Sequence, residues 1–210
     1  MSLKGYKTVL REARDEVVIN KSRFIGHAAP VSSAEEALGF LARIREEHRD
    51  ATHNCYAYII GRNAGIMRYS DDGEPSGTAG MPIIEVMKAR GVVDCAVVVT
   101  RYFGGILLGG GGLVRAYSHA TRLAVEKAQV ITMAVCKLCA LTCDYNQYGK
   151  IGSLIPECNG FLDDSDFGET VTLKFHMAEE DLSGFEKQLA DATCGSVAVE
   201  VTGEQFFQIN

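Results

Sequence analysis

The chain has 210 residues, 47% of them hydrophobic and 23% charged, with a formal net charge of -6. That length holds one large domain or two small ones, and the mix is globular. No apolar run approaches a membrane span, and the opening "MSLKGYKTVLREARDE" has no apolar signal core. A cytoplasmic protein with its 7 cysteines reduced is the expectation, with no membrane partner.

Taken in order, "YKTVL" and "EVVINKSRFIGHAAPV" are rich in β-branched residues and bounded by polar ones, which predicts strands. Ser33, with Glu36 three residues on, fits a capping box for a helix over "SAEEALGFLARIREEHRD". Leu38, Leu41 and Ile44 fall at helical spacing on one face of it. "NCYAYIIG" predicts a strand, and "RYSDDGEPSGTAGMP" a loop. "MPIIEVMKARG" predicts a short helix, with Pro82 near its first turn and Gly91 at its end. "VVDCAVVVTRYF" is apolar enough for a strand buried on both faces. A glycine loop follows, then a helix from about Gly112 to Gln129.

After Val130 the pattern restarts. "ITMAVCKLCALTCDY" predicts a strand, and "NQYGKIGSLIPECNG" a helix capped by Gly160. "GFLDDSDFGETVTLKFHM" predicts two strands around an acidic turn, "AEEDLSGFEKQLADAT" a helix and "GSVAVEVTGEQFFQ" a last strand. The order β-α-β-β-α-β is ferredoxin-like. The predicted domains are therefore 1–130 and 131–210, in an α+β chain. Residues 1–130 carry 17 Lys and Arg against 14 Asp and Glu, a net of +3. Residues 131–210 carry 4 against 13, a net of -9. Such asymmetry suits two domains facing different surroundings.

Two segments hold the candidate chemistry. In "RYFGGILLGGGGLVRAY", Gly104, Gly105 and the run Gly109, Gly110, Gly111 and Gly112 precede a helix, with Arg101 and Arg115 on either side. Free N–H groups and the positive helix end attract anions, and arginines add charge-assisted hydrogen bonds. The plain alternative is a crossing too crowded for side chains. No lysine follows Gly112, so the run is not a P-loop. In "RYSDDGEPSGTAGMP", Arg68, Asp71, Asp72, Glu74, Ser76 and Thr78 form a loop suited to binding, or merely to turns. The two segments are expected to converge. His53 precedes a strand, and Arg115, His119 and Arg122 make a basic stripe opposite Leu113, Tyr117, Ala120 and Ala124. Cys136, Cys139 and Cys143 lack a fourth ligand, and strand alternation sends Cys136 to the face opposite the other two. No metal, no cofactor and no nucleophile set is assigned, and a binding protein stands ahead of an enzyme.

These segments, with "KSRFIGHAAPV", "HNCYAYIIG" and "DYNQYGKI", resemble the signature blocks of the YigZ/IMPACT family over nearly the whole chain. The resemblance implies a first domain like the second domain of a small-subunit ribosomal protein, the fourth domain of elongation factor G and the GHMP kinases. It implies a second domain like the last of elongation factor G. Eukaryotic members resemble regulators of translation, and this chain lacks their RWD domain. The expected function is a translation-linked protein that binds RNA or a ribosomal surface through its first domain, using His53, Arg68, Arg101, Arg115 and the glycines. A protein partner is a further expectation. The rival is an enzyme or sensor that holds a phosphorylated small molecule or nucleotide at the glycine loop.

Overall fold

The computed structural model describes residues 5–209. Among them are two five-stranded sheets and five helices, a mixed α+β architecture. The chain divides into two compact units, residues 6–132 and, with Gly5, residues 133–209.

The first unit is built on an antiparallel sheet of order β2-β3-β6-β4-β5: β2 (Ala13–Ile19), β3 (Ser22–Pro30), β4 (His53–Ile60), β5 (Ile66–Ser70) and β6 (Cys95–Tyr102). β2 and β3 join through Asn20 and Lys21, both at positive φ (46° and 63°), the backbone twist a two-residue hairpin needs. β6 lies at the centre and is buried along its length, as its unbroken apolar run predicts. On one face α2 (Gly80–Arg90) and α3 (Gly109–Lys127) cover Phe24, Cys55, Ala57, Val97 and Val99. On the other, α1 (Ala34–Glu47) covers Ala29, Tyr58, Ile60, Ala96 and Val98. β1 (Gly5–Val9) is tied to this unit where Val93 N–H donates to Lys7 O.

The second unit runs β7 (Val130–Cys143), α4 (Tyr145–Glu157), β8 (Phe161–Phe167), β9 (Val171–Ala178), α5 (Glu179–Thr193) and β10 (Glu200–Gln208). Its strands pair antiparallel in the order β10-β7-β9-β8. The predicted sequence of elements is present. Cys139 and Cys143 join its core with Phe175, Met177 and Phe185, and Cys136 lies outside that cluster.

Several local expectations are corrected. The first three residues of the predicted loop, "RYS", instead end the edge strand β5, "IMRYS", which pairs with β4 and is largely exposed, so it carries no apolar alternation. Ser33 caps α1 by accepting from Glu36 N–H, but the Glu36 carboxylate turns to Ser32 instead of closing the box. The buried stripe of α1 is Ala37, Phe40, Leu41 and Ile44, which leaves Leu38 in solvent. α4 is capped at Cys158, with Asn159 at φ 60° and Gly160 N–H donating to Ile155 O. Asp163, Asp164 and Asp166 lie in β8 itself, and β10 begins only at Glu200. α3 starts at Gly109, so the glycine run is its first turn and not a loop before it. Packing of α3 against the sheet overrides the poor helix propensity of glycine.

Candidate functional site

β4 and β6 place His53 opposite Arg101 at one end of the sheet. Asn54 and Thr100, the next pair, are locked by a buried bond from Thr100 Oγ1 to Asn54 Oδ1 of 2.7 Å. The loop leaving β5 arrives over this end, and its first two carboxylates hold it there. Asp71 Oδ1 accepts from the N–H groups of Ala79 (3.0 Å) and Gly80 (2.8 Å), and Oδ2 from Gly77 (2.9 Å). Asp71 thus fixes the start of α2, which has no side-chain cap of its own. Asp72, at φ 43°, accepts from Asn54 N–H (2.7 Å) and pairs with Arg45 (2.8 Å).

Held in this way, the loop turns Glu74 inward. Its Oε1 accepts from Arg101 Nη1 (2.7 Å) and from Tyr117 Oη (2.7 Å). The Arg101 and Glu74 side chains are 6% and 3% exposed. Removing either partner of such a pair leaves a buried charge, so the two stand or fall together. The Arg101 guanidinium lies between the rings of Phe24 (5.4 Å) and Phe103 (5.3 Å). The expectation that Arg101 is available at the surface is therefore corrected: Glu74 neutralises it inside the protein.

His53 completes the group. Its Nδ1 lies 2.8 Å from Asp72 O, a carbonyl that only accepts, so Nδ1 donates there. Nε2 then faces Glu74 Oε2 at 3.8 Å. Beneath them the Cys55 thiol donates to Asp71 O (2.9 Å) and lies 3.4 Å from Tyr117 Oη. Burial pushes the Cys55 thiol up to about 12 and raises the Tyr117 hydroxyl well above its ordinary value. Neither is a nucleophile at neutral pH. Among the described residues no group of three His, Cys, Asp or Glu is arranged to hold a metal ion.

The two candidate segments do converge, through Glu74, Arg101 and Tyr117. His53, Glu74, Arg101, Gly109 and Gly110 line one cavity of about 390 Å³. The remaining candidates are dispersed. Arg68 is exposed on β5, Ser76 is exposed at the loop tip and Thr78 Oγ1 donates to Pro75 O. Gly104 packs on the β2–β3 turn, where a Cβ would sit 2.0 Å from the Lys21 carbonyl carbon. Gly105 is a left-handed residue at φ 83°, and Gly111 and Gly112 belong to the first turn of α3. Arg115 lines a second groove, of about 440 Å³, with His119, Arg122 and Asn20. All three basic side chains are exposed, and none forms an ion pair or hydrogen bond among the described residues. Tyr117, Cys55, Phe24 and Phe103 were not foreseen as site residues. A tyrosine in the apolar stripe of α3 was the available signal, because a buried hydroxyl needs a partner.

Residues 20–125 match the model of the Impact N-terminal domain, and residues 141–196 match a domain of unknown function, DUF1949. The chain belongs to the IMPACT family. It is 40% identical over 193 residues to the IMPACT family member YvyE of Bacillus subtilis (strain 168), covering 92% of this chain and 89% of that one. It is 37% identical over 181 residues to the IMPACT family member YigZ of Escherichia coli (strain K12), covering 85% and 89%. Among solved structures, one titled "Crystal structure of an hypothetical protein" superposes with a TM-score of 0.60 at 33% identity, covering 96% of this chain and 98% of that one. The Impact N-terminal match spans β3 to α3 and so contains every member of the buried cluster.

Proposed function

We propose that this IMPACT family member is a translation-linked regulatory protein of the cytoplasm, whose first unit binds RNA or a ribosomal surface. The observation that carries the reading is the outer face of α3. Arg115, His119 and Arg122 stand exposed in a row beside the β2–β3 turn, with no carboxylate engaging them. Unneutralised cations along a groove are the footprint of phosphate contacts. The antiparallel order β10-β7-β9-β8 in the second unit supports the ferredoxin-like reading, and with it the analogy to the last domains of elongation factor G. The domains are read as 1–130 and 131–210, and the first unit carries the excess of positive charge.

The contact set is narrower than the sequence suggests. Arg101 is enclosed, so the phosphate contacts fall to Arg115 and Arg122, with Arg68 on the edge strand as an outlying cation. The test is co-sedimentation with ribosomes or RNA at several salt concentrations. Replacing Arg115 and Arg122 with alanine is expected to flatten the log–log salt slope by roughly 1.4 to 1.8, one phosphate per arginine. Alanine at Lys174, in the second unit, leaves the slope unchanged. Binding that resists salt, or that survives the double substitution, overturns the reading in favour of a protein partner.

A further inference from the structure

The basic groove on α3 does not end at Arg115. Leu108 lines both that groove and the cavity of about 390 Å³, so the two are continuous across the first turn of the helix. Gly109 and Gly110 line the cavity and Gly112 the groove, and this turn puts no side chain in the way. At Gly110 a Cβ would meet nothing nearer than Thr78 Cγ2 at 3.9 Å, so packing does not demand the gap. Gly109 and Arg115 are separated by about 9 Å of helix, less than two turns.

The chemistry changes along this track. The groove carries Arg115, His119 and Arg122, exposed and without internal partners among the described residues. The cavity has an apolar wall of Pro75, Phe103, Leu107, Leu108 and Leu113. Arg101 also lines it, but its guanidinium is spent on Glu74 and offers little to a phosphate. The rim is uncovered, with Phe103 46% and Leu107 85% exposed. Apolar groups left in water at the end of a row of cations suit a ligand that is anionic along one part and flat and apolar along another. Phe103 is held ready for it. Its N–H donates to Thr52 Oγ1 (3.1 Å), the N–H of Gly104 donates to Ser22 Oγ (3.2 Å), and the Arg101 guanidinium lies 5.3 Å from the centre of its ring. The backbone that carries the ring is thus fixed, while nearly half of the residue stays open to solvent.

We propose that the track binds single-stranded RNA, with phosphates on Arg115 and Arg122 and one unpaired base stacked on Phe103, against Leu107 and Leu108. This rests on the reading of the outer face of α3 as a phosphate-binding surface, and names the form of RNA that surface takes. Bases paired inside a duplex do not reach the cavity, so a duplex is held by the groove alone. Because the rim is open, the polar edge of a seated base stays in water. The track therefore selects an unstacked base rather than a particular sequence.

The experiment is fluorescence anisotropy of the full chain with three labelled RNAs of equal length: a short oligouridylate, an abasic strand and a blunt duplex. The oligouridylate is expected to bind roughly tenfold more tightly than the abasic strand, which has the phosphates without the bases. Phe103→Leu keeps apolar bulk but removes the ring. It is expected to weaken the oligouridylate roughly tenfold, to leave the abasic strand and the duplex unchanged and, since no charge is lost, to leave the salt slope unchanged. Phe103→Trp retains the preference. Because Phe103 also packs on Arg101, Leu107→Ser is the second variant; Leu107 lies outside the core, and its loss weakens the oligouridylate alone, severalfold. Equal binding of the oligouridylate and the abasic strand overturns the proposal. So does unchanged oligouridylate binding in Phe103→Leu or in Leu107→Ser; the apolar wall then belongs to a protein contact, and the phosphate reading of α3 stands. If none of the three RNAs binds, or if replacing Arg115 and Arg122 with alanine changes nothing, the phosphate reading itself fails and the proposal with it.

Discussion

The loop at 71–78 and the outer face of α3 are both dense in charge, and the protein uses them in opposite ways. In the loop, Asp71 holds three backbone N–H groups, Asp72 holds Arg45 and a strand N–H, and Glu74 holds Arg101 and Tyr117. On α3, Arg115, His119 and Arg122 have no such partner among the described residues. A motif crowded with carboxylates is here the internal fastening of the site, while a plain helical stripe is the charge left for the surroundings. Density of charge in a sequence does not reveal which of the two a segment is; the number of internal partners does.

Substitutions can break that contrast, beginning with the buried pair. Glu74→Ala, which strands Arg101 without a counter-charge, is expected to cost about 3–5 kcal/mol in denaturant unfolding. If Arg101→Ala and the double variant each cost the same as Glu74→Ala, the coupling is confirmed; full additivity breaks it.

A buried titratable group with no partner sharpens the comparison from another side. His27, 2% exposed, has an Nε2 without a hydrogen bond. Burial first, then the neighbouring His48, depress its pKa from 6.5 to about 4; Glu47 opposes, Arg14 adds a smaller lowering effect and Glu12 a smaller raising one. The unfolded chain takes up the proton at higher pH than the folded one. Stability from this residue is therefore complete above pH 6.5 and is lost as pH falls toward 4. The loss is about 3 kcal/mol, and His27→Gln should flatten the pH dependence of unfolding over that window.

Asp71→Ala removes the acceptor of three backbone N–H groups at a half-buried position and is expected to cost about 1–2 kcal/mol. Amide exchange should localise the effect to residues 76–81. The smallest effect belongs to the other region. Arg115→Ala and Arg122→Ala should change stability by no more than about 0.5 kcal/mol each, while altering nucleic-acid binding. A larger stability loss on α3 than at Asp71 would reverse the comparison.

Much of this molecule was legible in the sequence where one physical signal dominated. The run "CAVVVT" could only be an interior strand, Ser33 marked the start of α1, and alternating turn and apolar signals gave the β-α-β-β-α-β order after Val130. β5 escaped because an exposed edge strand has no buried face to leave a period in the sequence. The start of α3 escaped because four glycines predict a loop by propensity while tertiary packing makes them a helical turn. At the site, Glu74 and Arg101 were both singled out, but as independent ligand contacts. Their pairing across 27 residues is a fact of the fold, with no local signature. Tyr117 was read as core for its ring, and it is core; its hydroxyl is what ties α3 to the loop.

The way Asp71 grips its loop has a consequence for sequence drift. Its carboxylate contacts only main-chain N–H groups of residues 77, 79 and 80, which every residue but proline possesses. The path of the chain from β5 to α2 therefore rests largely on main-chain contacts, those of Asp71 with the start of α2 and that of Asp72 with Asn54 N–H. Ser76, exposed at the tip, is free to be exchanged without moving Glu74. Such a loop can vary its outward side chains from one relative to the next and still deliver the same carboxylate to the same arginine.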